Sequence, residues 1–232
     1  MPHDLIVSLS IILVVVFVAL VVAVSLLRFF KLRRARQQQE IEALVKRCHR
    51  IDRLLNIVPD RYLPLITKTV LMEYMVSSVS LIKKHREERE LVGALPHYLQ
   101  SLSELKAGQQ ATLKDRVQTS QQLELIQNAL QSLPLLLRGL VGKSVLDKAT
   151  AKEQAAQIRF GYFLAHHDLL VREARLDLDI DKKARALEKL RLALAEMEKV
   201  AAYTASEPVI KRLNKAIKQV ESELFGKKAR VD

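Results

Sequence analysis

One long uncharged segment near the N-terminus constrains the chain most. Residues 5–27 read LIVSLSIILVVVFVALVVAVSLL. As an α-helix they would extend about 34 Å, enough to cross the ~30 Å hydrocarbon core of a bilayer. A signal peptide would have a basic start and a small-residue cleavage site, whereas this segment follows MPHD and ends in LLRFFKLRR. We therefore predict a single uncleaved transmembrane anchor over residues 5–27.

The charges on the two sides of this segment predict its orientation. Residues 1–4 contain Asp4 and no Lys or Arg, whereas basic residues crowd the other side. The positive-inside rule therefore places a short N-terminus, residues 1–4, outside and the rest of the chain in the cytoplasm. We prefer a bacterial inner membrane as the setting, although the sequence does not separate it firmly from a eukaryotic membrane. The predicted membrane-interface residues are Arg28, Phe29, Phe30, Lys31, Arg33, Arg34 and Arg36.

The same basic residues account for much of the net charge of +12. Residues 28–58 contain nine Lys and Arg against three Asp and Glu, a net of +6 and thus half of the total. Each basic residue near anionic headgroups contributes about 1 kcal/mol to membrane binding. Anionic lipid is therefore a predicted partner, and nucleic acid is the less favoured explanation of the charge.

A basic juxtamembrane amphipathic helix is predicted over residues 28–58. Its apolar residues follow a 3-4-3-4-3 spacing, typical of the contact face of a coiled coil. This apolar seam either packs on the domain of its own chain or joins two chains in a homodimer, and its length of under three heptads leaves both open. Cys48, the only cysteine, lies on it as a small apolar residue. The seam consists of Ile41, Leu44, Cys48, Ile51, Leu55 and Val58.

The remaining composition predicts an all-α fold. The chain has only six Gly and six Pro, is rich in good helix formers, and contains no alternating Val/Ile/Thr segments. We predict a multi-helix cytoplasmic domain over residues 59–225 and a basic flexible tail over residues 226–232. Within the domain, a helix is expected over residues 109–133, with Leu113 and Val117 facing inward and Pro134 ending or kinking it. The last two helices, around Leu190 and Ile217, should form an antiparallel αα-hairpin.

Three segments resemble chemical sites without satisfying their requirements. GLVGKS ends in the Gly-Lys-Ser of a phosphate-binding loop, but the first Gly of that loop would have to be residue 137, which is Leu137. No strand precedes the segment either. LDLDIDKKARALE places acids at EF-hand positions 1, 3, 5 and 12 but has Lys182 where the turn needs Gly. His167 lies on an apolar stripe and is expected to be a hydrogen-bonded core histidine, with a ligand or pH-sensing role as the alternative. We assign no catalytic, cofactor or metal residue.

The last helix carries a basic face that could contact lipid or an acidic partner: Lys211, Arg212, Lys215 and Lys218. Together these features predict a non-catalytic, membrane-anchored helical scaffold or adaptor that presents an interaction domain to the cytoplasm. One alternative is a membrane-tethered enzyme or ligand sensor whose site is built from distant helices. The other is a membrane-proximal nucleic-acid binder.

Overall fold

The protein is all-helical throughout the part that the structure describes. The computed structural model describes the backbone of residues 2–84 and 89–226, and the side chains of residues 25, 28, 29, 31–33, 35–83 and 90–226. Within these residues there are eight α-helices, a 3₁₀ turn at Thr204–Ser206 and no strand. The helices are α1 Pro2–Ile57, α2 Leu65–Lys84, α3 Arg89–Gly93, α4 Leu95–Lys106, α5 Ser120–Val141, α6 Lys148–Asp179, α7 Lys183–Glu198 and α8 Glu207–Phe225.

Helix α1 is one continuous helix of 56 residues. After Pro2 it contains neither proline nor glycine, the residues that most often kink a long helix. The predicted anchor and the predicted juxtamembrane helix therefore belong to the same helical backbone. The side chains of the anchor, residues 5–27, lie outside the described residues apart from Ser25. The predicted tail lies outside them after Gly226.

Helix α2 is the most apolar of the elements whose side chains are described. Its segment Leu65–Lys83 is, within the described residues, the one stretch long and apolar enough to cross a membrane. However, 44% of that stretch is buried inside the protein, and Leu71, Met75 and Val79 are fully enclosed. Packing against α1 and α4 accounts for the apolar character of α2.

The predicted apolar seam on α1 contributes to the interior of the bundle. Cys48 and Ile51 are fully buried and Val58 is 2% exposed, because α1 packs along α2. Ile41 is also buried, while Leu44 and Leu55 are half-buried against the same core. Packing within one chain thus explains the spacing, and self-association through the seam stays a prediction.

Two hydrophobic cores share helix α6. The N-terminal core is built from α1, α2, α4, α5 and α6 up to Leu169, with Ile158 and Leu164 as further α6 members. The C-terminal core is built from the last turns of α6, around Ala174, together with α7 and α8. Phe160 packs against both cores. The 32 residues of α6 are therefore the element that fixes the C-terminal helices relative to the rest.

The segment before α5 differs from the predicted helix over residues 109–133. Helix α5 begins at Ser120, where the Thr119 hydroxyl accepts a hydrogen bond from the backbone N–H of Gln122 at 3.2 Å. Long-range bonds hold the preceding residues in a loop instead, because the N–H of Val117 donates to the hydroxyl of Tyr62 at 3.0 Å. Val117 is buried as expected, whereas Leu113 is 49% exposed. Pro134 lies inside α5, which continues to Val141.

The turn between α1 and α2 ties these parts together. Its Asp60 accepts hydrogen bonds from the N–H and hydroxyl of Thr112, at 3.0 and 2.9 Å. Lys68 completes the set with its Nζ 2.5 Å from the Asp60 carboxylate. On its other side the turn meets α6 at Gly161, where a Cβ atom would lie 2.1 Å from the carbonyl oxygen of Tyr62. Only glycine allows the two backbones to approach so closely.

We predict opposite stability changes for two Gly→Ala substitutions. G161A should lower the free energy of unfolding by about 2 kcal/mol, because the new methyl group meets backbone that cannot rotate away. G139A should raise it by about 0.5–1 kcal/mol, since Gly139 lies inside α5 with open space around its Cβ position. Urea unfolding of the detergent-solubilised chain, followed by circular dichroism, measures both. Equal effects of the two substitutions would contradict the close contact at Gly161.

Candidate functional site

A groove opens between α6 and α8 on the C-terminal half of the protein. Both helices pack on α7, and the space between them forms a cavity of about 390 Å³. Its apolar lining comes from three helices: Val171, Ala174 and Leu178 of α6, Leu190 of α7, and Val209, Leu213, Ala216 and Val220 of α8. Its polar lining is Arg61, Arg116, His167, Asp168, Arg175, Lys183, Arg212, Gln219 and Glu223. We call this cavity the α6–α8 groove.

A buried carboxylate, Asp168, holds one end of the groove together. Arg61 contacts both of its oxygens, with Nε 2.5 Å from Oδ2 and Nη2 3.1 Å from Oδ1. The hydroxyl of Tyr62 donates to Oδ2 at 2.8 Å, and Nδ1 of His167 lies 3.2 Å from Oδ1. A two-pronged guanidinium contact fixes orientation as well as charge. The turn after α1 is thereby joined to the middle of α6.

The protonation of Asp168 follows from these contacts. Burial alone would raise its pKa, but the hydrogen bonds from His167, Arg61 and Tyr62 outweigh burial and hold the pKa well below the usual aspartate range. Burial and the neighbouring negative charge of Asp168 raise the pKa of Tyr62. The carboxylate is therefore ionised and the phenol protonated at neutral pH, which suits a fixed structural contact.

His167 has the burial and the hydrogen bond expected of a core histidine, and its proposed ligand or pH-sensing role stays a prediction. It is 8% exposed and hydrogen-bonded to Asp168, as expected of a core histidine. It also lines the groove. Because Asp168 is an acceptor, Nδ1 carries the proton in this contact. Nδ1 of the imidazole ring is thus hydrogen-bonded to Asp168 at the end of the groove.

The rim of the groove carries unbalanced positive charge. Arg61 pairs with Asp168, and Nζ of Lys183 lies 3.1 Å from Glu223. Among the described residues, however, no carboxylate forms an ion pair with Arg116, Arg175 or Arg212. The Nε of Arg212 donates only to the carbonyl of Pro208. Three guanidinium groups therefore surround an apolar floor, which suits a ligand with both apolar and acidic groups.

The predicted basic face of α8 coincides in part with this rim. Lys211, Arg212, Lys215 and Lys218 are all exposed. Arg212 lines the groove, whereas Lys211 pairs with Glu207 on its own helix at 2.7 Å. Of this set, Arg212 alone lines the α6–α8 groove.

The predicted membrane-interface residues lie together on α1, where Arg28, Phe29, Lys31, Arg33 and Arg36 are exposed. The side chains of Phe30 and Arg34 lie outside the described residues.

The segments that resembled nucleotide and calcium sites have structural roles. Gly139 lies inside α5, Gly142 ends it, and Asp147 caps α6 by accepting from the N–H of Thr150 at 2.9 Å. Asp177 and Asp179 belong to α6 rather than to a loop, and Asp177 pairs with Lys189 at 2.8 Å. No group of three or more metal-binding side chains occurs within the part of the chain that the structure describes.

Sequence reasoning missed Arg61, Tyr62, Arg116 and Arg175. Arg61 and Tyr62 stand between two prolines in VPDRYLP, a rigid turn where an aromatic and a charged residue are informative. Their partner, Asp168, is more than a hundred residues away. The one local signal is that Asp168 follows Gly161 at a spacing of seven, on the same face of α6. Arg116 and Arg175 resemble any exposed arginine in the sequence.

Replacing the buried carboxylate tests this arrangement. D168N should lower the free energy of unfolding at pH 7 by about 2–3 kcal/mol, because Arg61 loses its charged partner. The matched control, D179N, removes an exposed carboxylate from the same helix and should change it by less than about 0.5 kcal/mol.

The effect should depend on pH in a defined direction. Because the folded-state pKa of Asp168 is lowered, its contribution is complete above the unfolded value of about 3.9 and declines as the pH falls below that value. Urea unfolding at several pH values between about 6 and 3 measures the difference between wild type and D168N. A difference that grows toward acid pH would contradict the assignment.

No protein-family model, no curated protein and no solved structure matches this chain.

Proposed function

We propose that this protein is a single-pass membrane adaptor that docks a partner protein in the α6–α8 groove. In this proposal residues 5–27 cross the membrane, the N-terminus is outside, and the helical bundle, ending in an αα-hairpin of α7 and α8, is cytoplasmic. The uncharged run and its basic C-terminal side support the anchor and its orientation. A bacterial inner membrane is the preferred setting.

The observation that carries the proposal is the combination of apolar floor and basic rim in one groove. Val171, Leu178 and Val209 are half-buried in the isolated chain, so that a partner can cover them further. Protein interfaces place such apolar surface at the centre, enclosed by polar groups and enriched in arginine. The groove has this arrangement.

The chemistry of Asp168 in the groove and of Cys48 in the N-terminal core favours binding over catalysis. Asp168 has a strongly lowered pKa and is occupied by three donors, so it is a poor general base at neutral pH. Cys48 is enclosed in the N-terminal core, and burial raises its thiol pKa to about 11, which suppresses the reactive thiolate. These properties support an adaptor rather than an enzyme.

A ligand sensor is the second candidate. The cavity volume of about 390 Å³ lies within the range of small-molecule sites, and His167 with Arg116 would supply polar contacts to a small anion. In that case the groove would hold a small molecule and regulate the bundle.

The topology is testable with reporters fused after Asp232. A reporter that is active only in the cytoplasm should be active, and one that is active only outside should be inactive, because the Arg and Lys residues after the anchor remain inside. Deleting residues 1–27 should release the chain from membranes washed at high salt. An active external reporter would overturn the cytoplasmic adaptor.

Docking is testable in cells with a photo-crosslinking residue at one of two leucines. Leu178 lines the groove, and Leu192 on α7 is the matched exposed control at 50% exposure. Crosslinks to a partner protein should form from position 178 and not from position 192. If position 178 gives none and mass spectrometry finds a small molecule bound to the purified chain, the sensor replaces the adaptor. Without either, the groove is not the functional site.

A further inference from the structure

We infer that the α6–α8 groove takes an acidic amphipathic helix from a partner protein. This inference rests on the proposed adaptor function and names the chemistry of the docked segment. Its grounds are the shape of the groove, the charge of its rim and its distance from the membrane.

The shape of the groove fits a helix that lies over α7, between α6 and α8. The apolar residues of α6 are spaced by three or four, Val171, Ala174 and Leu178, and so are Val209, Leu213, Ala216 and Val220 on α8. At 1.5 Å per residue, the lining residues extend about 16 Å along α6 and about 21 Å along α8. A helix of about 11–14 residues matches this length.

A helix also meets the hydrogen-bonding requirement of an apolar floor. It pairs its own backbone groups, so only side chains need partners. A β-strand peptide would need a sheet edge to pair with, and no strand exists within the described residues.

The charge of the rim selects acidic side chains. Arg116 and Arg175 lie on the α6 side and Arg212 on the α8 side. No carboxylate of the described residues forms an ion pair with them, and all three are exposed enough for a ligand to reach. The docked helix should therefore present apolar residues at i, i+4 and i+7, with Asp or Glu along both sides of that stripe.

The position of the groove argues against lipid headgroups as the source of the acidic groups. Along the continuous helix α1, residue 28 at the proposed membrane surface and Ile57 are separated by about 44 Å. Arg61, at one end of the groove, follows four residues later. Allowing for the usual tilt of about 20°, this end of the groove stands about 40 Å from the membrane surface. Attraction to headgroups is screened within about 10 Å.

A designed peptide tests the inference with the full chain in nanodiscs of zwitterionic lipid. The probe is a fluorescent helix of about 14 residues, stapled on its outer face because short helices are marginal in water. It carries leucines at i, i+4, i+7 and i+11 and glutamates beside them. Control peptides replace every Glu with Gln or Lys, or every Leu with Ser. Fluorescence anisotropy measures the affinity of each peptide.

Two charge-reversal variants separate local from overall charge. R116E/R175E should weaken binding of the acidic peptide at least about tenfold, because two attractions become repulsions. K148E/K152E makes the same change in net charge at the start of α6, about 20–30 Å along the helix from the groove lining, and should leave affinity within about twofold. The lysine peptide should bind R116E/R175E and not the wild type. The serine peptide should bind neither.

The remaining outcomes assign failure to one proposal or the other. Equal binding of the Glu and Gln peptides, or equal loss in both variants, would overturn the acidic ligand but leave groove docking intact if crosslinks still form at position 178. Displacement of the peptide by phosphatidylglycerol vesicles would show that the groove takes lipid and would also overturn the inference. Absence of both peptide binding and groove crosslinks would reject the adaptor itself.

Discussion

The ion pair and hydrogen bonds of Asp168 hold helix α6 against the N-terminal part of the protein. The carboxylate belongs to α6, whereas Arg61 and Tyr62 belong to the turn that follows α1. The glycine two helical turns earlier, Gly161, lets the backbone of that turn lie against α6. A buried charge is stable only with partners in good geometry, so this contact fixes α1 and α6 in one arrangement. This arrangement also fixes the position of the groove, because Arg61 and Asp168 form one of its ends.

The groove exists because α6 extends beyond the N-terminal core. Up to Leu169 this helix contributes to the N-terminal core, while its last turns, from Leu170 onward, pack into the C-terminal core with α7 and α8. Helix α8 also packs on α7, and no other described helix lines the space between α6 and α8. Helices α6, α7 and α8 therefore leave part of their apolar surface exposed. One more helix in the groove would bury the exposed parts of Val171, Leu178 and Val209.

Periodic apolar spacing predicted most helices, because a helix needs only local residues. It failed at residues 109–119, where the hydroxyls and backbone groups of Thr112, Val117 and Thr119 serve long-range bonds and a cap instead. It also could not distinguish a seam between chains from one within a chain, as Ile51 and Cys48 show. The candidate site was the feature hardest to predict from the sequence. Arg61 and Asp168 are more than a hundred residues apart, and apart from the glycine seven residues before Asp168 no local feature indicates that this pair will form.

The proposed anchor changes how strong the groove has to be. Three exposed arginines around a short apolar floor supply modest affinity, since exposed ion pairs contribute about 0.2–1 kcal/mol each. A partner attached to the same membrane would, however, meet the groove at a high effective concentration, set by the length and stiffness of both chains. Helix α1 has no proline or glycine after Pro2, so it would hold the groove at a nearly constant height. A weak groove at fixed height can therefore select a membrane-bound partner whose acidic helix reaches that height over a freely diffusing acidic helix present at a lower effective concentration.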